Sequence, residues 1–154
     1  MSEDLNKLDD GNLEKFNKTI GVLKNSLKRA PKNHNLYISL GNEYLKLSRL
    51  ELAFKSYLSA YNLDPKNADI SVCIGVVHTE VGNYNDATSA FLNAIKLDKN
   101  CKKAYVDLSN VYFNLGRHKE GLEYLYKIDG FISCKENDFL FKKVYIKTGD
   151  IRLL

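Results

Sequence analysis

The sequence repeats itself with a period of 34 residues, and this periodicity constrains the fold more than any other feature. The pair Leu40-Gly41 is matched by Ile74-Gly75 and then by Leu108-Ser109, each pair 34 residues after the last. The same stride links small residues, aromatic residues and turn residues along the chain. A fixed period of this length predicts a repeat architecture, in which one supersecondary unit stacks on the next.

Within each copy the apolar residues recur at intervals of three and four, which is helical spacing. Pro31 and Pro65 lie one period apart and end helices, while Gly82 and Gly116 suit the left-handed position that follows a helix. Asn67 is a candidate N-cap for the helix that follows it. The pattern predicts about eight helices in antiparallel pairs, at approximately 13–30, 34–47, 50–63, 68–81, 84–97, 102–115, 117–129 and 136–148.

The motif of the first copy resembles the tetratricopeptide repeat, a helix–turn–helix unit of the same length. That copy has the aromatic, Leu-Gly, Tyr, Ala, aromatic, Ala and Pro positions of the family, occupied by Tyr37, Leu40, Gly41, Tyr44, Ala53, Tyr57, Ala60 and Pro65. Ser48 replaces the turn glycine of the first copy, and Gly121 replaces an alanine in the third. The resemblance implies an all-α fold, a right-handed α-solenoid of about three helix–turn–helix repeats with flanking capping helices.

The resemblance also divides the chain into segments. We expect a flexible leader at 1–12 and an N-terminal capping helix at 13–30, followed by repeats at 34–67, 68–101 and 102–135. Residues 136–154 are expected to form a C-terminal capping helix or a truncated fourth repeat.

Composition and residue spacing argue against several functional classes. The net charge of +4 is too small to indicate nucleic-acid binding, and no apolar run is long enough to insert into a membrane. Three cysteines, Cys73, Cys101 and Cys134, are too few and too scattered for a disulfide framework or a zinc site. His78 and His118 occupy positions that are packing residues in the other copies. We therefore predict a cytoplasmic protein without catalytic residues, metal or cofactor.

In the family, the first helix of each repeat lines a concave groove that binds a partner. The resemblance therefore implies groove positions Asn35, Ile38, Asn42, Leu45, Asp69, Val72, Val76, Thr79, Lys103, Val106, Asn110 and Phe113. Many of these are apolar, and an exposed apolar patch usually marks a binding site. The alternative is that the helices rotate slightly so that some of the valines belong to the core, or that the end segments fold over the groove. Asn42 and Asn110 can each donate and accept hydrogen bonds, so they suit the backbone of an extended peptide.

A well-known subgroup of the family holds the C-terminal carboxylate of a chaperone with lysine, asparagine and arginine side chains. The corresponding positions here are Ile38, Asn42, Cys73, Lys103 and Asp107. Asp107 places a negative charge where that subgroup needs a positive one, which argues against a carboxylate clamp.

Three functions remain open from the sequence. The leading hypothesis is a non-enzymatic adaptor that binds a peptide or helix of a partner protein in its groove. The alternatives are a chaperone for a secreted or assembly-prone protein, and the N-terminal regulatory part of a larger enzyme. Self-association is left open.

Overall fold

A computed structural model describes residues 10–128 of the chain, and these residues form seven α-helices joined by short turns. The helices are α1 (Asp10–Arg29), α2 (His34–Lys46), α3 (Leu50–Leu63), α4 (Ala68–Glu80), α5 (Tyr84–Leu97), α6 (Lys102–Asn114) and α7 (His118–Tyr126). No strand occurs between residues 10 and 128. The predicted all-α repeat fold is confirmed.

The N-terminal boundary differs from the prediction. We expected the leader to extend to residue 12, but α1 begins at Asp10, so 10–12 form its first turn. Residues 1–9, the end of the third predicted repeat and the predicted segment 136–154 lie outside the described residues.

Asparagine caps begin the first helices of the first two repeats. The side chain of Asn33 accepts a hydrogen bond from the backbone N–H of Asn35 at 3.0 Å, and that of Asn67 accepts one from the N–H of Asp69 at 3.1 Å. Each cap satisfies a donor that has no partner inside the helix. The prediction of an N-cap at Asn67 is confirmed.

The turn between the two helices of each repeat uses the left-handed backbone conformation. Gly82 and Gly116 have φ angles of 79° and 74°, and the residue at the same position in the first repeat, Ser48, has a φ of 54°. The loss of glycine at position 48 therefore leaves the turn geometry unchanged. A residue other than glycine is strained in this conformation, so the backbone of the first turn is strained and that of the other two turns is not.

Glycines in α2 and α4 allow the two helices of a repeat to approach closely. A Cβ atom at Gly41 would lie within 2.8 Å of three ring atoms of Tyr57, and one at Gly75 within 2.8 Å of three ring atoms of Phe91. Both rings are buried. In each hairpin an aromatic side chain of the second helix thus packs against the glycine of the first helix.

In the third repeat the large residue lies in the first helix and the glycine in the second, which is the reverse of the other two repeats. Ser109 replaces the glycine of α2 and α4, and the smaller Leu125 replaces the aromatic ring. One turn further on, the Phe113 ring lies over Gly121, where a Cβ atom would come within 3.0 Å of three ring atoms. The departures from the family motif in this repeat therefore compensate each other, and its two helices still approach closely.

Stacking of neighbouring helices produces two main core clusters. The first surrounds Tyr57 and includes Ile20 of α1, so α1 covers the open side of the first repeat. The second surrounds Phe91 and joins the second repeat to Leu108 of the third. The rings of Phe54 and His78 meet edge to face at 5.3 Å across the joint between the first two repeats, which confirms His78 as a packing residue.

Candidate protein-binding groove

The first helices of the three repeats lie on the inner side of the stack. In this layer α2 packs beside α4, and α4 packs beside α6, so the first helices are closely spaced. When the first helices of the repeats lie closer together than the second helices, the stack curves toward the first helices. We call the inner surface formed by α2, α4 and α6 the concave groove.

The structure places the predicted groove residues at three depths. The exposed members are the polar residues Asn35, Asn42, Asp69 and Lys103. The half-buried members are Ile38, Leu45, Val76, Thr79, Val106, Asn110 and Phe113. Val72 is the remaining member, and it is buried.

The prediction that Val72 lines the open groove is wrong. Its side chain is only 1% exposed and belongs to the core cluster that contains Phe91, Ala104 and Leu108. The physical reason is the close approach of neighbouring first helices, because a residue that faces the next helix is covered by it. Val72 therefore helps to join the second and third repeats and is not accessible to a partner.

The apolar groove residues other than Val72 are half-buried, which favours the alternative that some of the groove positions belong to the core. Ile38 and Leu45 pack against the core around Tyr57, and Val76 packs against the core around Phe91. Phe113 packs over Gly121, and its ring stacks on His118 with the centroids 6.0 Å apart. These side chains give the groove partly covered apolar walls, and the side chains most exposed in it are polar.

A group of polar side chains meets at the middle of the groove, and we call it the polar centre: Asn42, the Tyr57 hydroxyl, Cys73, Lys103 and Asp107. The Tyr57 hydroxyl donates a hydrogen bond to Asn42 Oδ1 at 2.7 Å. The Tyr57 hydroxyl and the charges of Lys103, Asp107 and the exposed Asp69 all act on the pKa of the Cys73 thiol, which places these groups around it. The polar centre therefore draws residues from all three repeats.

Sequence reasoning missed the hydroxyl of Tyr57 because repeat equivalence assigned the whole side chain to the core. The ring is buried, but its tip reaches Asn42 in the groove. A signal was present in the sequence: the equivalent residues, Phe91 and Leu125, have no polar tip. Only the first repeat has a hydroxyl at this point, and the tyrosine that carries it is fully buried.

Burial sets the charge state of the polar centre. It raises the pKa of the Tyr57 hydroxyl and, against the opposing effect of Lys103, the pKa of the Cys73 thiol. Burial also raises the pKa of the Asp107 carboxyl, again opposed by Lys103. The Tyr57 hydroxyl and the Cys73 thiol are therefore neutral at pH 7, since the pKa of each is raised above an ordinary value that already exceeds 7.

Asp107 is the least satisfied member of the polar centre. Its Oδ2 atom is shielded from solvent and has no hydrogen-bond partner among the described residues. Lys103 precedes it by one helical turn, yet the two do not form an ion pair. Buried carboxylate oxygens are ordinarily hydrogen-bonded, so an acceptor without a donor is an unusual feature of this surface.

A surface cavity lies on the groove side of α2, beside the polar centre. It has a volume of about 310 Å³ and is lined by Ser39, Asn42, Glu43, Leu45 and Lys46. Glu43 and Lys46 form an ion pair at 2.7 Å, so the charges at its edge are mutually compensated. The cavity offers room for a side chain next to Asn42.

The large exposed hydrophobic residues lie mainly on the outer helices, where sequence reasoning did not look for a binding surface. Leu58, Leu92 and Tyr126 occupy the same position in α3, α5 and α7 and are 42%, 41% and 46% exposed. We call this set the outer row. It is the competing candidate for a contact surface.

Chemistry-bearing side chains are dispersed over the described residues. His34 lies 3.8 Å from Asp64, while His118 packs on Phe113, which agrees with the packing role predicted for it. Within residues 10–128 no three His, Cys, Asp or Glu side chains come together as a metal site, and no helix has the length and apolarity needed to cross a membrane.

Comparison with known proteins agrees with the fold. A family model described as "TPR repeat" matches residues 41–82, and one described as "Tetratricopeptide repeat" matches residues 102–129. No curated protein sequence matches the chain significantly.

Several solved structures are similar to the chain. One described as "Crystal structure of MamA" is 26% identical with a TM-score of 0.70, over 92% of this chain and 82% of that one. Another, described as "Crystal structure of MamA protein", is 25% identical with a TM-score of 0.70, over 88% of this chain and 75% of that one. The third, "MamA 41-end from Desulfovibrio magneticus RS-1", is 19% identical with a TM-score of 0.69, over 81% and 71%, and shows the fold alone. The repeat motif, the stacked hairpins and these matches show that the chain contains tetratricopeptide repeats.

Proposed function

We propose that this protein is an adaptor that holds a segment of a partner protein in the concave groove. The observation that carries the proposal is the polar centre, where side chains from three repeats come together and the shielded Oδ2 atom of Asp107 has no donor. An unsatisfied buried acceptor destabilises the free protein, so a partner that supplies a donor gains affinity there.

The half-buried walls support the same proposal. Ile38, Leu45 and Val106 flank the polar centre without being fully covered, so a bound segment would bury the rest of their surface. Hydrogen-bonding groups at the centre would then fix the position of the segment, while the walls contribute nonpolar contact.

We further propose that the protein acts by binding and not by catalysis. A nucleophilic cysteine needs a lowered pKa, whereas burial raises the pKa of Cys73. No feature of the described residues favours the alternatives of a secretion-type chaperone or a regulatory part of an enzyme over the adaptor.

Affinity purification from the natural host with three forms of the protein tests the groove. We compare the wild type with Asn110→Arg, which places a long charged side chain in the groove, and with Leu92→Arg, which alters the outer row to a similar extent. We expect mass spectrometry to identify a partner bound by the wild type and Leu92→Arg and lost from Asn110→Arg. Far-ultraviolet circular dichroism verifies that all three are folded.

The reverse pattern would assign binding to the outer row and refute the groove. The comparison is informative because both variants introduce the same charge into helices of the same repeat array, and only the face differs.

A further inference from the structure

The polar centre also indicates the chemistry of the partner segment. Asp107 is half-buried in α6, and its Oδ2 atom faces neither solvent nor a donor. A buried carboxylate oxygen is stabilised by a cation or by hydrogen-bond donors, and Oδ2 has neither within bonding distance. The other oxygen, Oδ1, is not shielded in this way, so it is the atom that a partner can reach.

The neighbouring groups do not supply the missing donor. Asn42 Oδ1 already accepts the Tyr57 hydroxyl proton, so that hydroxyl is committed. Lys103 contributes a favourable field but forms no ion pair within 4.0 Å with a carboxylate of the described residues, and its side chain is exposed.

The charge balance at this point is negative. Asp69 and Asp107 are two carboxylates against the single ammonium of Lys103, all within electrostatic range of Cys73. Glu43 and Lys46, the charged residues that line the cavity on α2, form an ion pair with each other. A chain with an overall charge of +4 thus presents a local excess of negative charge in the middle of its groove.

We infer that the groove selects a partner segment that carries a lysine or arginine between apolar residues, and that Asp107 receives the cationic side chain. This inference rests on the proposed function, because it assumes that the groove is the contact surface. Charged hydrogen bonds in a shielded site are stronger than neutral ones, so the cationic residue would be the main determinant of specificity. The apolar neighbours of that residue would lie against Ile38, Leu45 and Val106.

A matched set of peptides tests the inference without knowledge of the natural partner. We use short acetylated and amidated peptides, labelled with fluorescein, in which leucines flank a central lysine, arginine, glutamine, glutamate or norleucine. Blocking both ends removes terminal charges. Fluorescence polarisation then ranks the affinities for the wild-type protein.

We expect the lysine and arginine peptides to bind about tenfold or more tightly than the norleucine peptide, as follows for one charged hydrogen bond. Glutamate should be the weakest member, because it would meet Asp107 with the same charge. The Asp107→Asn variant should lose the preference for a cation, and Asp107→Ser provides a second substitution if the amide disturbs the fold. Asp86→Asn is the matched control, since Asp86 is an exposed carboxylate on α5, away from the groove.

The outcomes separate the inference from the proposed function. If the wild type binds all five peptides alike, or prefers glutamate, the role of Asp107 is refuted while the groove remains a peptide site. A preference for lysine that persists in Asp107→Asn and Asp107→Ser refutes it as well. If no peptide binds, both the inference and the proposed peptide groove are refuted.

Discussion

The exchanged sizes in the third repeat lead to a prediction about the pair Phe113 and Gly121. Changing Gly121 to alanine places a Cβ atom 2.5 Å from Phe113 Cε1 and 2.7 Å from Cδ1, which is too close for either atom to remain in place. Overpacking of this kind costs about 1–3 kcal/mol. Alanine recovers about 0.5–1 kcal/mol through its higher helix propensity. The net expectation is a loss of about 0.5–2 kcal/mol in the free energy of unfolding.

The first repeat indicates which second substitution should restore stability. At the equivalent positions it has Leu45, which is smaller than Phe113, and Ala53, which is larger than Gly121. Phe113→Leu alone should cost about 1 kcal/mol, since the ring is half-buried and is replaced by a smaller apolar group. The double variant Phe113→Leu/Gly121→Ala reproduces the pair of the first repeat and should lie within about 0.5 kcal/mol of the wild type. The coupling free energy between the two positions should therefore be about 1 kcal/mol or more, in the favourable direction.

Urea unfolding followed by far-ultraviolet circular dichroism measures all four members of this cycle. Amide hydrogen exchange in α6 and α7 shows whether the loss is confined to the third repeat, as expected for a stack stabilised by nearest neighbours. Gly21→Ala is the control, because Gly21 is an exposed helical glycine whose added Cβ would meet nothing within 4 Å. That variant should be more stable by about 0.5–1 kcal/mol. If the effects of Phe113→Leu and Gly121→Ala on the free energy of unfolding are additive, the two residues do not compensate each other and the reasoning is refuted.

Two further predictions concern single positions. Ser48→Gly should raise the free energy of unfolding by about 0.5–1 kcal/mol, because Ser48 has a φ of 54° that glycine adopts without strain; unchanged stability in urea would contradict this. Asp107→Asn should raise the melting temperature at pH 7 and have little effect at pH values below the ordinary range of aspartate. Burial raises the pKa of Asp107 above its unfolded value, so its ionisation destabilises the folded state once the pH exceeds the folded pKa, and protonation removes that cost; an equal gain at low pH would refute this reasoning.

The repeat period predicted the helices well because it depends on local patterns. Turn residues and apolar spacing are short-range signals, so helices such as α3 (Leu50–Leu63) and α5 (Tyr84–Leu97) end at the residues the pattern indicated. The start of α1 was predicted three residues too late, since Asp10 and Gly11 have the composition of a turn but continue the helix.

The groove was predicted less well, because exposure depends on how neighbouring repeats meet. A residue such as Val72 has the right position in its own helix, and only the packing of the next repeat covers it. The same limit applies to Asp107, whose missing donor is a property of three helices together. Sequence spacing identified the inner helices, and the distances between them determined which side chains remain accessible.

The paired sizes inside each hairpin have a consequence for how such chains can be recombined. An α6 helix carrying Phe113 fits opposite Gly121 but would collide with an alanine such as Ala53 or Ala87, which are the equivalent residues of the other repeats. The transferable module is therefore the whole hairpin. Crossovers placed in the joints between repeats, at 64–67 or 98–101, keep each pair together, whereas crossovers at the turns at Ser48, Gly82 or Gly116 separate it. Duplication and exchange of repeats in a chain of this kind should accordingly leave their boundaries at the joints.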